Sequence, residues 1–113
     1  MYDNLYCKIF IDSNLDYDEL FELVMKYVSG RKETVTYISA DWCSISVQRN
    51  KEYSTERYML NPNDFLYWKN YLDIEPTNIE EGVYINKLSD MLVYIRQHCK
   101  NAIAACDFED ELI

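Results

Sequence analysis

Histidine occurs once in this chain, at His98, and glycine only twice, at Gly30 and Gly82. A single histidine supplies neither a zinc cluster nor a Ser-His-Asp set, so the standard zinc-hydrolase and acyl-transfer chemistries lack their parts. Cys99 follows His98 directly, but adjacent helical residues point about 100° apart and do not face each other as nucleophile and base. Two isolated glycines also exclude a glycine-rich phosphate loop. Proline is equally scarce, at Pro62 and Pro76, which predicts regular structure through most of the length. The four cysteines, Cys7, Cys43, Cys99 and Cys106, form no C-x-x-C pair and lie in apolar contexts. Buried free thiols are the expectation. No apolar run approaches the ~20 residues that cross a bilayer, and the first residues, MYDNLYCKIFID, show no basic lead ahead of an apolar segment. No membrane partner is expected, and the chain reads as cytosolic.

Positive charge is also in deficit. Eleven Lys and Arg stand against 20 Asp and Glu, a formal charge of −9, which repels phosphate backbones and excludes nucleic acid as a direct partner. A basic protein is steered toward such a surface, whereas plain solubility is the simplest alternative. What remains is globular: 113 residues, 49% hydrophobic and 15% aromatic, read as one domain over 1–113.

Leu5, Cys7, Ile9 and Ile11 alternate with Tyr6, Lys8, Phe10 and Asp12, the period of a first strand. Asp16 followed by Glu19 has capping-box spacing, and Leu20, Val24, Tyr27 and Val28 share a helical face, so a helix is predicted over Tyr17 to Ser29, with Gly30 as its left-handed terminator. Thr34 to Ser39 and Cys43 to Val47 are β-rich and form one bent strand or two. Arg49 to Asp64 is predicted as the longest loop, and Phe65 to Ile74 as the third strand. Ile85, Leu88, Met91, Leu92, Ile95 and Cys99 mark a second helix to about His98. Ala102 to Cys106, apolar without interruption, suits a terminal central strand buried on both faces. The fold class predicted is α+β: a ferredoxin-like β-α-β-β-α-β sandwich with two helices on one face of an antiparallel sheet.

With strands in the spatial order four, one, three, two, the third is expected to run parallel to the first. Asp3, Asp64, Asp107, Glu109, Asp110 and Glu111 would then share one edge. Arg49 and Lys51 would reach the same end three strand spacings of ~4.8 Å away. The open sheet face should display tyrosine and tryptophan. The candidate partner-binding residues are Asp107, Glu109, Asp110 and Glu111 for charge, with Tyr67, Trp68 and Tyr71 as apolar anchors. A third reading takes Asp107 and Glu109 as a D-x-E pair for a hard cation, since alternate strand residues point the same way. Catalytic two-metal sites need further carboxylates and nearby bases, so no metal, cofactor or catalytic residue is assigned and the chain is read as non-enzymatic.

Three stretches, RNKEYS at Arg49 to Ser54, FLYWKNYLDIEP at Phe65 to Pro76 and AACDFEDEL at Ala104 to Leu112, resemble a pattern found in small uncharacterised bacterial proteins. Proteins of that kind are similar in size and layout to the immunity proteins encoded beside polymorphic or contact-dependent toxins. The resemblance implies a protein that occupies and neutralises a cognate toxin domain, and it carries no residue roles; the acidic charge makes a basic toxin such as a nuclease the expected partner, met in the cytoplasm. The rival expectation is a ligand-sensing or structural ferredoxin-like module that dimerises through its open sheet face or a strand edge.

Overall fold

A computed structural model describes residues 2–112 of the chain. The elements run β1 (Cys7–Asp12), α1 (Tyr17–Val28), β2 (Arg31–Lys32), β3 (Tyr37–Ser39), β4 (Cys43–Arg49), α2 (Thr55–Leu60), β5 (Asn70–Pro76), α3 (Glu81–His98) and β6 (Asn101–Ala105). Short 3-10 turns occupy Phe65–Tyr67 and Glu109–Glu111. The six strands form an antiparallel sheet in the order β2-β3-β4-β5-β1-β6. The fold is α+β with three α-helices, so the chain has two strands and one helix more than the six-element order expected.

Alternation builds the core. Cys7, Ile9 and Ile11 of β1, Cys43, Ile45 and Val47 of β4, and Leu72 and Ile74 of β5 turn to one face, where all are fully buried. Leu20, Phe21, Val24 and Val28 of α1 and Tyr84, Ile85, Leu88, Leu92 and Ile95 of α3 enter the same hydrophobic cluster. At about 25 cal/mol per Å² of apolar surface removed from water, this layer is the main stabilising term. Among the described residues no helix is long and apolar enough to cross a membrane.

Local signals near α1 act as the spacing predicts. Glu19 N–H donates to Asp16 Oδ1 at 2.8 Å and Asp16 N–H to Glu19 Oε1 at 3.0 Å, a complete capping box. The helix end differs. Ser29, not Gly30, takes the left-handed conformation, with φ 53°. Gly30 is needed for space instead: a Cβ there would stand 2.6 Å from Ile38 Cγ2 and 2.9 Å from the Ser39 carbonyl oxygen.

The middle of the chain departs further from expectation. Thr34 to Arg49 holds two separate strands, because Ala40 N–H bonds back to Cys43 O at 2.9 Å and folds the chain into a turn. The predicted long loop contains α2, capped by Ser54, whose Oγ accepts from Arg57 N–H at 3.1 Å. α2 buries no residue, so its sequence carries no apolar stripe to betray it. Phe65–Tyr67 is a 3-10 turn rather than strand, since Asp64 accepts from Leu66 N–H at 3.3 Å and curls the backbone.

Two corrections bear on the site. β5 is antiparallel to β1, with Cys7 opposite Ile74 and Ile11 opposite Asn70, because it lies between β1 and β4, which run the same way on either side of it. β6 is not central: it pairs with β1 alone, at the sheet edge, and most of it is only half buried.

The α1 terminus yields a stability test. Ser29→Gly removes the left-handed penalty of a side chain and should stabilise the fold by roughly 0.5–1 kcal/mol after the entropy of glycine is counted. Gly30→Ala should destabilise it by about 1–3 kcal/mol through overpacking against Ile38 and the β3 backbone. Urea unfolding midpoints read both; Ser29→Gly lowering the midpoint would contradict the cap geometry.

Candidate functional site

β6 leaves the sheet at Ala105, which lies opposite Lys8. One step on, Cys106 stands level with Cys7 across the strand pair, and the chain then turns inward. Phe108 drives that turn: it is 1% exposed and packs its ring 5.6 Å from Tyr2 and 6.1 Å from Tyr84. Tyr84 is held from below, its hydroxyl donating to Leu5 O at 2.8 Å. Leu112 returns to the core behind Phe108. The last turn is therefore a plug that closes one end of the molecule between sheet and α3.

Around the plug, the acidic side chains face outward. Asp107, Glu109, Asp110 and Glu111 are all exposed. Glu109 Oε1 accepts from Cys106 N–H at 3.2 Å, and the Tyr2 hydroxyl donates to Glu111. Tyr2 N–H also reaches Glu81 Oε1 at 3.1 Å, which ties the start of α3 to the same surface. Asp3, just ahead of β1, is exposed at this end as well. Among the described residues the ion pairs are Lys8–Asp73 at 3.9 Å and Arg31–Glu33 at 3.5 Å, and neither touches the terminal acids. Four carboxylates so placed repel one another and leave their field to solvent or a cationic partner.

The remaining expected members go elsewhere. Because β5 runs antiparallel to β1, Asp64 lies at the opposite end, not on the acidic edge. Arg49 pairs with Asn70, and Asn70 with Ile11, so Arg49, with Lys51 after it, is also at the far end. Trp68 cannot anchor a partner: it is 2% exposed, with Nε1 donating to Pro62 O at 2.7 Å. Tyr67 is half buried beneath Arg57, whose guanidinium carbon is 4.3 Å from the ring centroid. Tyr71 does reach the open sheet face, beside Phe10 at 5.8 Å and under Lys8 Nζ at 4.3 Å. It sits two strand spacings, or ~10 Å, across from β6. Acids and aromatics thus form no single patch.

Nor does the open face display its aromatics freely. Residues 50–69 fold over part of it, and Phe65 packs 5.2 Å from Phe10. The large apolar side chains most exposed on that excursion are Met59, Leu60 and Leu66. The signal for Phe108 was present in the sequence as one large apolar side chain inside an acidic run, followed by Leu112.

The D-x-E reading loses its basis, since β6 ends at Ala105 and Glu109 belongs to the 3-10 turn. Among the described residues no group of three or more His, Cys, Asp or Glu is placed to hold a metal ion. His98 is exposed and bonds through Nδ1 to Tyr94 O at 2.9 Å. Cys99 is half buried, and burial raises its pKa. Burial also pushes Cys43 up to about 12. A hydrogen bond between Cys7 and Cys106 raises the pKa of the inner thiol and lowers that of the outer one. All four cysteines are free.

No family model matches this chain, and neither a curated protein nor a solved structure does.

Removing the plug tests the architecture of this end. Phe108→Ala should lower stability by about 3–5 kcal/mol, as for other fully buried aromatics. Hydrogen exchange should then quicken at Glu109, Glu111 and Leu112, whose N–H groups bond within the turn. Protection unchanged there would mean that Phe108 does not hold the segment.

Proposed function

We propose that the protein is non-enzymatic and works by binding another protein, as an immunity protein that neutralises a basic toxin domain in the bacterial cytoplasm. The observation that carries this is the exposed set Asp107, Glu109, Asp110 and Glu111, displayed on a turn anchored by Phe108 with no described cation paired to it. Such a surface raises the encounter rate with a basic partner and discriminates against acidic ones. A nuclease domain suits the charge, because its substrate groove is itself positive and an acidic protein competes for the same field. The resemblance in Arg49 to Ser54, Phe65 to Pro76 and Ala104 to Leu112 supports the same reading.

The finer fold assignment belongs to this proposal. Strands β4-β5-β1-β6 follow the order expected for the four strands of a ferredoxin-like sandwich, with β2, β3 and α2 as additions at one edge and one end. β6 presents an unpaired edge, which favours a second reading as a module that dimerises by strand addition. Light scattering distinguishes the two, since a stable homodimer paired through β6 has twice the mass of the single chain.

The genes on either side come first: a toxin reading frame beside this one is expected, and a lone gene in a metabolic operon would count against the reading; binding to that toxin domain is then followed by surface plasmon resonance over a range of salt. Association should be fast at low salt and slow steeply as salt rises. Reversing Glu109, Asp110 and Glu111 to lysine should slow it by at least about tenfold and flatten the salt dependence. Unchanged association removes these residues from the interface; cells that co-express both proteins and still die remove the toxin-neutralising role.

A further inference from the structure

At the end of the molecule away from the acidic plug, the β1–α1 loop, the start of β5, the α3–β6 turn and the 50–69 excursion converge. A cleft of about 170 Å³ lies among them, lined by Asp12, Asn14, Tyr53, Tyr58, Lys69 and Lys100. A second groove of about 400 Å³ shares Tyr53 and Lys69 with it and continues past Tyr17, Arg49 and Asn70. Three cations therefore border two adjoining depressions in a chain whose formal charge is −9. Among the described residues none of the three is in an ion pair. Arg49 stacks 4.0 Å from the Tyr17 centroid, and Lys100 Nζ lies 3.5 Å from the Tyr58 hydroxyl.

We infer that this cleft binds a hydroxyl-bearing phosphomonoester of small-molecule size, its phosphate between Lys69 and Lys100 and its organic part in the groove beside Tyr53. A phosphomonoester carries about −1.5 to −2 charges at neutral pH, which two lysines match. The acids of the plug lie beyond the other end of a six-residue strand, roughly 20 Å away. That exceeds two Debye lengths of about 8 Å at physiological salt, so the local cations set the field.

Two acids line the depressions. Asp16 is occupied as the α1 cap by Glu19 N–H. Asp12 accepts the Tyr58 hydroxyl at 3.1 Å through one oxygen, and among the described residues no hydrogen bond takes the other, which faces a ligand hydroxyl in this assignment. A carboxylate beside a phosphate site repels bare phosphate and favours an ester that brings hydroxyl groups. The pair of volumes together is within the range of small-ligand sites, and a few polar groups converging on an aromatic wall are their usual lining.

Calorimetry at low salt with AMP, ribose 5-phosphate and inorganic phosphate tests the assignment, and comparing the two esters separates a nucleotide from a simple sugar phosphate. At least one ester should bind with a dissociation constant below about 1 mM, and inorganic phosphate at least about tenfold more weakly. Lys69→Ala with Lys100→Ala should weaken the ester by at least about tenfold, since both charges that face the phosphate are removed. Amide shifts of the unaltered protein should move at Asp12, Asn14, Tyr53, Lys69 and Lys100, a readout that does not require the variant to fold. No heat with any probe up to about 10 mM, shifts elsewhere, or equal affinity for inorganic phosphate would overturn the proposal.

Discussion

The antiparallel pairing of β5 with β1 decides where the charges of this molecule lie. Cys7 faces Ile74 and Ile11 faces Asn70, so the strand that follows the 50–69 excursion enters the sheet at the end where β1 leaves it. Asp64, Lys69 and, through its pairing with Asn70, Arg49 are thereby gathered at one end. Asp3, Glu81 and the acids of residues 107–111 are gathered at the other. Had β5 run parallel to β1, bases and acids would have met at one edge and cancelled much of each other's field. The observed polarity keeps Arg49 and Lys69 a strand length from the acids of residues 107–111, beyond effective screening distance in physiological salt.

The second constraint is Phe108. Its burial against Tyr2 and Tyr84 costs the chain the freedom of its last turn, but it is offset by apolar surface removed from water at roughly 25 cal/mol per Å². For the binding role proposed, the consequence is order. Carboxylates on an unanchored tail would have to be immobilised on binding, at about 0.5–1.5 kcal/mol for each rotamer-rich side chain plus the backbone. On a turn whose Glu109 and Glu111 are already hydrogen-bonded to the body, much of that ordering precedes the encounter.

Period and cap chemistry made part of this legible in the sequence. The alternation of Leu5 to Asp12, the Asp16 to Glu19 box and the stripe from Ile85 to Ile95 are local patterns, and each became the element its period implies. Strand polarity is not local: β5 runs against β1 because it is the neighbour that β1 pairs with in an antiparallel sheet, and which strand takes that place no window of residues encodes. The burial of Trp68 was also hidden, since an indole is apolar enough to be buried and polar enough to be displayed until a partner such as Pro62 O decides. α2 was missed because its residues bury nothing, and Ser54 as its cap looks like any loop serine. The exposed acids were legible because four charges in five residues have nowhere else to go.

The 50–69 excursion links these outcomes. Asn50 closes it at the base, its Nδ2 donating to Leu66 O at 2.9 Å and Trp68 O at 2.7 Å. Tyr53 N–H bonds back to Asn50 O at 3.1 Å, so the first turn of the excursion is fixed relative to the sheet. Closed in this way, the segment lays Phe65 on Phe10 and removes part of the open face from any partner. It also carries Tyr53 and Tyr58 over the end of β1, beside Asp12. One local closure thus trades an aromatic docking face for a walled depression, and it does so at the end of the molecule where, among the described residues, Arg49, Lys69 and Lys100 form no ion pair.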